Sequence, residues 1–400
     1  MANGWAGAAP RPYICNSLEN RMKNFVLLLV AAATLLFSCS TDVDINAPYK
    51  PITVVYGLLD PVADTQWVKI NKTFIGEGNN LEYAMIRDSS EYNFADFTAT
   101  VSELDGSNVV NTFTLDSLTI HDKDVNGIFY APYQTVYYFE TPSGLNTDHQ
   151  YLLNVDFSTK EDVSSSTELV KINDIFMVNP IQNSGQNLFL AQKTGENSFV
   201  FKTANIRFIP VESAPFYEIT LRLWYNEKLY ADIEHNVFVS EEMKFLDYYI
   251  GSYNLSNINS VGQISASIAG ESYFSFVGSN IEANPFVERE IGYYDQSLSQ
   301  PATRCFDLII NAGGQELNTF TQVNAPVTGI IQERPFYTNV TNGLGLFSSR
   351  SVKTVTGVNL INQSGQPNTG VLLAFVYSTY TNDLGFCDPD FTNSEFYCGN

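Results

Sequence analysis

The residue with the most specific chemistry is Cys39, which ends the stretch LFSC at residues 36–39. A leucine, a bulky residue, a small residue and a cysteine in this order form a lipobox, in which the thiol accepts a diacylglycerol and the chain is cut before the cysteine. Lys23 gives the segment a cationic start, and residues 25–37 are apolar except for Thr34. Such a run is too short to span a bilayer as a mature helix and is typical of a signal peptide.

This segment predicts export and attachment to a bacterial membrane by lipid. We expect residues 1–38, an upstream extension plus the signal peptide, to be removed, with Met22 as the true start, and residues 39–48 to form a lipidated tether. Asp42 and Asp44 favour a lipoprotein over an ordinary secretory signal with an accidental cysteine. Acyl chains hold firmly because each buried methylene contributes about 0.8 kcal/mol.

The remaining cysteines suggest one disulfide and one buried thiol. Cys387 and Cys398 flank a short loop near the end of the chain. An exported protein can keep a disulfide, and closing this loop would contribute about 2–3 kcal/mol in the chain-entropy model. We therefore predict that these two residues pair. Cys305 begins the apolar stretch CFDLII at residues 305–310, which predicts a strand with a buried free thiol.

One stretch is similar to half of a calcium loop. DKDVNG at residues 122–127 places oxygen ligands at alternate positions before a glycine, as calcium loops do. The glutamate expected six residues after Gly127 is instead Tyr133. A hairpin tip explains the same residues, so we predict no metal here.

No catalytic motif stands out elsewhere in the chain. The three histidines, His121, His149 and His235, are far apart and have no metal-ligand spacing. We find no nucleophile elbow, zinc-protease motif or phosphate loop. Carboxylates are abundant, which leaves a glycosidase open, but no pair is marked as special. We predict no catalytic residues, no metal and no cofactor.

Composition excludes one class of partner and favours strands. The net charge is −22, which argues against nucleic-acid binding because phosphate backbones require a basic surface. Apolar residues make up 44% of the chain and aromatic residues 14%. This content supports a packed core, and the aromatic bias is typical of β-strands.

The elements before residue 172 predict a first β-sandwich over residues 49–171. Short apolar runs recur roughly every ten residues with turn residues between them, and DGSN at residues 105–108 indicates a hairpin. Residues 127–130 are expected to form one of these strands. Leu145 precedes Tyr151 by six residues, which resembles the tyrosine corner of immunoglobulin-like and fibronectin type III domains.

A second β-sandwich is predicted over residues 198–326, after a linker over residues 172–197. Its pattern is interrupted at about 240–283, where we expect a helical insertion: Ser240 is a good N-cap and Gly251 ends the run, and a second helix is expected over 270–283. Strands resume over 305–310 and 317–323. Residues 327–400 are expected to pack on the sandwiches, which makes the chain all-β with two immunoglobulin/fibronectin-III-like domains.

Three segments together resemble an uncharacterised family of Bacteroidota lipoproteins, classed as a domain of unknown function. They are VVYGLL at 54–59, QERPFYTNVTNGLGLFSSR at 332–350 and LGFCDP at 384–389. The resemblance implies an outer-membrane lipoprotein that accompanies a TonB-dependent receptor. It carries over no functional residue besides the lipid site, Cys39.

We therefore expect a binding or accessory subunit of a TonB-dependent surface uptake system and not an enzyme. The protein would be lipid-anchored in the outer membrane, on its periplasmic face or at the cell surface. The alternatives are a surface hydrolase that uses unidentified carboxylates, and a structural component of the cell surface or of a secretion machinery.

Overall fold

Many strands of the chain show the alternation of buried and more exposed residues that the period-two pattern of the sequence predicts. A computed structural model describes residues 49–75, 79–180, 188–255, 262–295, 302–326, 336–358, 369–387 and Cys398. Strands hold 49% of the described residues and helices 15%, so the all-β class is confirmed. The described elements belong to one compact unit, Pro51–Asn400. Within these ranges, none of the helices has the length and apolar character needed to cross a membrane.

The strands up to residue 209 are β1 (Thr53–Leu59), β2 (Thr65–Lys72), β3 (Phe97–Asp105), β4 (Asn108–Thr114), β5 (Asp116–Ile120), β6 (Gln134–Glu140), β7 (Gln150–Phe157), β8 (Val163–Glu168), β9 (Phe176–Asn179), β10 (Ala191–Lys193), β11 (Phe199–Phe201) and β12 (Thr203–Ile209). The later strands are β13 (Phe216–Tyr230), β14 (Phe238–Asn254), β15 (Ile264–Ala269), β16 (Val287–Ile291), β17 (Tyr293–Asp295), β18 (Ala302–Arg304), β19 (Phe306–Gly313), β20 (Gly343–Val358) and β21 (Phe386–Cys387).

The helices are short, and most cover the ends or faces of sheets. They are α1 (Asn80–Ala84), α2 (Arg87–Ser90), α3 (Gly270–Asn280), α4 (Gln315–Asn324) and α5 (Thr369–Tyr377), with 3-10 turns at Phe94–Asp96 and Ile172–Asp174. The helix predicted over 270–283 is confirmed by α3.

One ten-stranded sheet runs through the described structure in the order β21-β16-β13-β19-β20-β1-β2-β6-β5, with β14 also paired to β13. Smaller sheets pack beside it, with the orders β4-β3-β7-β8 and β15-β12-β9, and β10-β11 and β17-β18 form two-stranded pairs. The predicted hairpin at 105–108 is confirmed, because Asp105 pairs with Asn108 across the turn between β3 and β4.

Two hydrophobic cores lie against this sheet. The first joins the inner face of β1, β2 and β6 to the four-stranded sheet, with Val55, Tyr137 and Leu153 among its buried residues. The second joins β13 and β19 to the three-stranded sheet and to α3 and α5, with Phe208 and Phe375 among its buried residues.

Strand β20 connects the two cores. Its first half pairs in parallel with β1, and its second half pairs antiparallel with β19. Phe347 lies in the first core and Val355 in the second. Gly345 faces Val55 with φ +112, and a Cβ at this position would lie 1.9 Å from the Val55 carbonyl oxygen, so only glycine allows this close approach.

Within residues 327–400, the segment expected to pack on the sandwiches, β20 lies inside the main sheet between β19 and β1. The described part of the predicted linker also joins the core: Ile175 and Leu190 are buried, and β9 pairs with β12. The predicted domain limits themselves stay predictions.

The helix predicted at the start of the insertion is wrong. Residues 238–254 form β14, which pairs with β13 from Phe216 opposite Asn254 to Tyr230 opposite Phe238. Aromatic and β-branched residues at 245–250, namely Phe245, Tyr248, Tyr249 and Ile250, favour a strand. The pairing with β13 therefore outweighs the local N-cap signal of Ser240.

Two predicted strands are also wrong. Residues 127–130 form bends. Residues 317–323 lie in α4, because β19 ends at Gly313 and Gly314 begins a helix, with the Asn318 amide donating to the Gly314 carbonyl at 3.0 Å.

The local tyrosine-corner bond is confirmed. Tyr151 is fully buried, and its hydroxyl donates to the Asn146 carbonyl at 3.2 Å. A similar arrangement, which the sequence did not reveal to us, occurs in the second core: the hydroxyl of buried Tyr217 accepts from the Val211 amide at 2.9 Å. Each core thus ties one tyrosine to the backbone just upstream of its strand.

Candidate functional site: a polar cleft beside strands β2, β5 and β6

The cleft arises where two strands of the main sheet separate. Strands β2 and β6 pair from Thr65 to Val68. Further along β2, Asn71 pairs instead with Glu91 through an isolated bridge. The segment that contains α1, α2 and the 3-10 turn therefore enters between the two strands.

Local caps hold this inserted segment in shape. The Asn79 side chain accepts from the Leu81 amide at 3.0 Å and caps α1. Asn93 and Asp96 form a reciprocal capping box around the 3-10 turn. These caps satisfy amides at the start of α1 and of the 3-10 turn. Helix α2 between them has no side-chain cap, and the contact of its Arg87 with Glu91 ties it to the segment that follows.

Glu91 forms the base of the cleft. Its side chain is only 5% exposed, and it accepts hydrogen bonds from Arg87 Nε at 2.9 Å, from the Thr135 amide at 3.2 Å and from the Thr135 hydroxyl at 2.8 Å. Lys69 Nζ lies 3.6 Å away. The carboxylate thus accepts a hydrogen bond from a backbone amide of β6, that of Thr135, at a point where β6 no longer pairs with β2.

The charge of Glu91 is held by its neighbours. Burial alone would raise the pKa of its carboxyl, but the hydrogen bonds from Arg87 and Thr135 and the charge of Lys69 outweigh burial and lower the pKa. The hydrogen bond to Glu91 in turn raises the pKa of Arg87. Glu91 is therefore a fixed anion and a poor proton donor near neutral pH.

Above this base, the cleft encloses about 500 Å³. Ser117 and Thr119 of β5 contribute hydroxyls, and Asp88 contributes a carboxylate. Phe94 stacks on buried Tyr137, with ring centroids 6.2 Å apart and planes 25° apart, while 45% of its side chain is exposed. The cleft thus offers an apolar platform surrounded by hydrogen-bonding groups.

A lysine lies directly behind one wall. Lys160 Nζ is 3.8 Å from the Phe157 ring centroid and 4.5 Å from that of Tyr92, and it donates to the Tyr92 hydroxyl and to Thr53 Oγ1 at 2.6 Å. Burial, assisted by the charge of Lys72, lowers the pKa of Lys160 to about 8. The aromatic rings stabilise its cationic form only in part.

Two polar atoms are buried near the cleft without a hydrogen-bond partner among the described residues. They are the hydroxyl of Tyr137 and Oδ1 of Asn71. Burial, with a smaller contribution from the charge of Glu91, raises the pKa of Tyr137 to about 12. The Tyr137 hydroxyl is therefore a neutral group beneath the Phe94 platform.

The histidines make separate local contacts. His149 Nδ1 lies 2.7 Å from Glu103 Oε1, His235 Nε2 contacts the Pro285 carbonyl at 3.0 Å, and His121 packs against a tyrosine ring. In the calcium-like stretch, Asp122 accepts from Gln134, and the Gly127 amide donates to the Asp124 carbonyl at 3.1 Å. These contacts fit a turn.

The predicted cysteine residues have different outcomes. Cys39 lies outside the described residues, so its lipidation stays a prediction. Cys387 and Cys398 are joined, with their sulphurs 2.12 Å and their Cα atoms 5.0 Å apart; the state of this bond in the cell is still a prediction. Cys305 is buried, as predicted, and is not one of the two disulfide-bonded cysteines. Glu288 is close to the bonded pair, but disulfide sulphurs are not thiolate ligands.

Sequence reasoning missed the cleft. Glu91, Arg87 and Phe94 belong to no motif, and they meet Thr135 only through the separation of β2 from β6. The capping pattern at Asn93 and Asp96 was the signal that could have revealed the inserted helical segment.

Comparison of the chain with known family models and with curated proteins finds no match.

Proposed function

We propose that this protein is a lipid-anchored binding or accessory subunit of a TonB-dependent uptake system in the bacterial outer membrane. The lipobox ending at Cys39 supports the anchor. The cleft beside β5 and β6 supports binding. The resemblance to receptor-associated lipoproteins supports the choice of partner.

The observation that carries the proposal is that the cleft contains two kinds of groups: charges that bind one another, and an aromatic ring and hydroxyls that can contact a ligand. The charges at its base are committed to one another, since Glu91 binds Arg87 and Thr135. The cleft is also lined by the half-exposed ring of Phe94 and by the hydroxyls of Ser117 and Thr119, which are groups of the kinds that recognise ligands by shape and hydrogen bonding. A site of this composition favours reversible binding over proton transfer.

The same observation weighs against a hydrolase in this cleft. A glycosidase needs one carboxyl that stays protonated and another that stays ionised. Glu91, the carboxyl at the base of the cleft, has a lowered pKa and therefore does not supply the protonated one. We therefore place the binding function ahead of the catalytic one.

We also propose that each core belongs to an immunoglobulin/fibronectin-III-like β-sandwich. The two buried tyrosines, Tyr151 and Tyr217, support this relationship, because each bonds to the backbone five or six residues upstream. Loops on such domains commonly carry the contact surface for a partner.

The test is recovery of a receptor from intact outer membranes. Tagged wild-type protein, gently cross-linked and solubilised in detergent, should co-purify with a TonB-dependent β-barrel receptor identified by mass spectrometry. The Cys39→Ala variant should not. If wild-type protein recovers no such receptor, or if it turns over members of a glycan or peptide panel, the proposal is wrong and a hydrolase becomes the better explanation.

A further inference from the structure

Among the described residues, strand β14 lies at the edge of the main sheet. It pairs on one side with β13, and no other strand in the described ranges pairs with it. Residues 238–243 are exposed on both faces of the ribbon. Such an edge presents unpaired backbone amides and carbonyls, which are a template for another strand.

The side chains along this edge are also unusually apolar for an exposed ribbon. Phe238 and Val239 are 55% and 54% exposed, and Met243 and Phe245 are 44% and 50% exposed. Charged residues alternate with them, namely Glu241, Glu242, Lys244 and Asp247. The sign and spacing of these charges determine which strand, and in which register, can pair with β14 without placing like charges opposite each other.

A second copy of the same strand can pair antiparallel about a two-fold axis, and then the residue on the axis faces itself. With Met243 on the axis, Glu242 of each copy faces Lys244 of the other. Opposite charges that face each other stabilise a strand pair. This register also leaves Glu241 opposite Phe245, so no like charges meet.

The neighbouring symmetric registers lack this complementarity. With Glu242 on the axis, two glutamates face each other. With Lys244 on the axis, two lysines face each other, and Glu241 faces Asp247. With Phe245 on the axis, none of the charges meets an opposite charge. Like charges directly opposite destabilise a pair, so the Met243 register is favoured.

We propose that β14 pairs with β14 of a second copy, antiparallel and with Met243 on the two-fold axis, so that the main sheet continues across a dimer. Within one protomer, Lys244 contacts Glu227 at 2.5 Å and Glu242 at 3.7 Å. The Glu242 side chain is 74% exposed, so it is free to reach Lys244 of the partner copy. A strand-length contact is smaller than a standard interface, and the dimer is therefore weak and concentration-dependent.

The test traps the dimer through its symmetry. In full-length, detergent-solubilised Met243→Cys protein under mild oxidation, the two introduced thiols face each other at a Cβ separation of about 4.5–5.5 Å, close enough for a disulfide after a small adjustment. Non-reducing electrophoresis should show a cross-linked dimer that the unmodified protein does not form.

Glu241→Cys is the matched control, because it lies on the same exposed face two residues away. In the proposed register, position 241 of one copy faces position 245 of the other. The two introduced thiols are therefore four residues apart, roughly 13 Å along the strands, and should not cross-link. The double variant Glu241→Cys with Phe245→Cys restores a facing pair and should cross-link again.

Charge reversal then tests the register. In the Met243→Cys background, Lys244→Glu or Glu242→Lys creates like-charged facing pairs and should lower the dimer yield by about tenfold. Combining both reversals should restore the yield. Unfolding midpoints identify misfolded variants; if Lys244→Glu fails to fold, the more exposed Glu242→Lys still tests the register.

Three results would overturn the proposal. The first is equal cross-linking of Met243→Cys and Glu241→Cys, which indicates random collision or another register. The second is failure of Met243→Cys to form any dimer. The third is cross-linking in cells to a different envelope protein in place of a second copy, which would assign the edge to that partner.

Discussion

Glu91→Gln is the change that tests the cleft most severely, because it removes one charge and keeps the shape. In the native protein the Glu91 carboxylate accepts hydrogen bonds from Arg87 and Thr135 and lies 3.6 Å from Lys69 Nζ. A glutamine amide can still accept some of these hydrogen bonds, but it leaves both cations without their counter-ion.

The expected loss follows from burial. Removing one partner of a fully buried ion pair costs about 3–5 kcal/mol. Here the Arg87 and Lys69 side chains are 38% and 21% exposed, and water compensates part of the lost interaction. We therefore expect Glu91→Gln to lower the free energy of unfolding by about 2 kcal/mol.

The pH dependence gives the same test a second readout. Because the folded pKa of Glu91 lies below its unfolded value, the folded state holds fewer protons between the two values. The stability from Glu91 is fully present above the unfolded pKa, about 4.3, and is lost as the pH falls through the folded pKa. The difference between wild type and Glu91→Gln should therefore shrink on acidification below about pH 4.

Guanidinium unfolding followed by tyrosine and tryptophan fluorescence measures both effects. Glu161→Gln, an exposed position, is the matched control and should leave the midpoint unchanged. A Glu91→Gln variant that unfolds at the wild-type midpoint from pH 7 down to pH 3 would refute the claim that a fixed anion holds the base of the cleft.

Three further predictions concern the cores and the reactive side chains. Tyr151→Phe removes the bond to the Asn146 carbonyl and should lower stability by about 1–3 kcal/mol; an unchanged denaturation midpoint would argue against the corner, and one transition shared by both cores would mean that they fold as one unit. Cys387 and Cys398 should appear as one linked species in mass spectrometry of non-reduced peptides from exported protein, whereas free thiols at both positions would contradict the bond. Since burial lowers the pKa of Lys160 to about 8, its folded form releases a proton more readily than its unfolded form, so stability relative to Lys160→Met should rise from pH 8 to pH 10; a flat difference in unfolding midpoints would contradict this assignment.

The parts of the fold that depend on neighbouring residues could be predicted from the sequence. The hairpin at Asp105, the corner at Tyr151, the helix that begins at Gly270 and the buried thiol of Cys305 each follow from a local pattern. Turn residues and period-two alternation involve only residues that are close in the chain, so these patterns can be recognised in one sequence without knowledge of the fold.

The parts that depend on distant partners could not be predicted. β14 reads locally as a capped helix, and only its long pairing with β13 makes it a strand. β20 pairs with β1 across nearly the whole described chain, and no local pattern specifies such a neighbour. The cleft has the same origin, since Glu91 meets Thr135 only where two strands separate.

Acyl labelling of the protein in its native host tests the central claim, attachment to the envelope by lipid at Cys39, most directly. Cells are grown with a fatty-acid analogue, and the labelled protein is followed through membrane fractionation for wild type and Cys39→Ala. The account predicts label and outer-membrane sedimentation for wild type, and an unlabelled protein released from membranes for Cys39→Ala. Undiminished labelling of Cys39→Ala, or wild-type protein that carries no label, would contradict it.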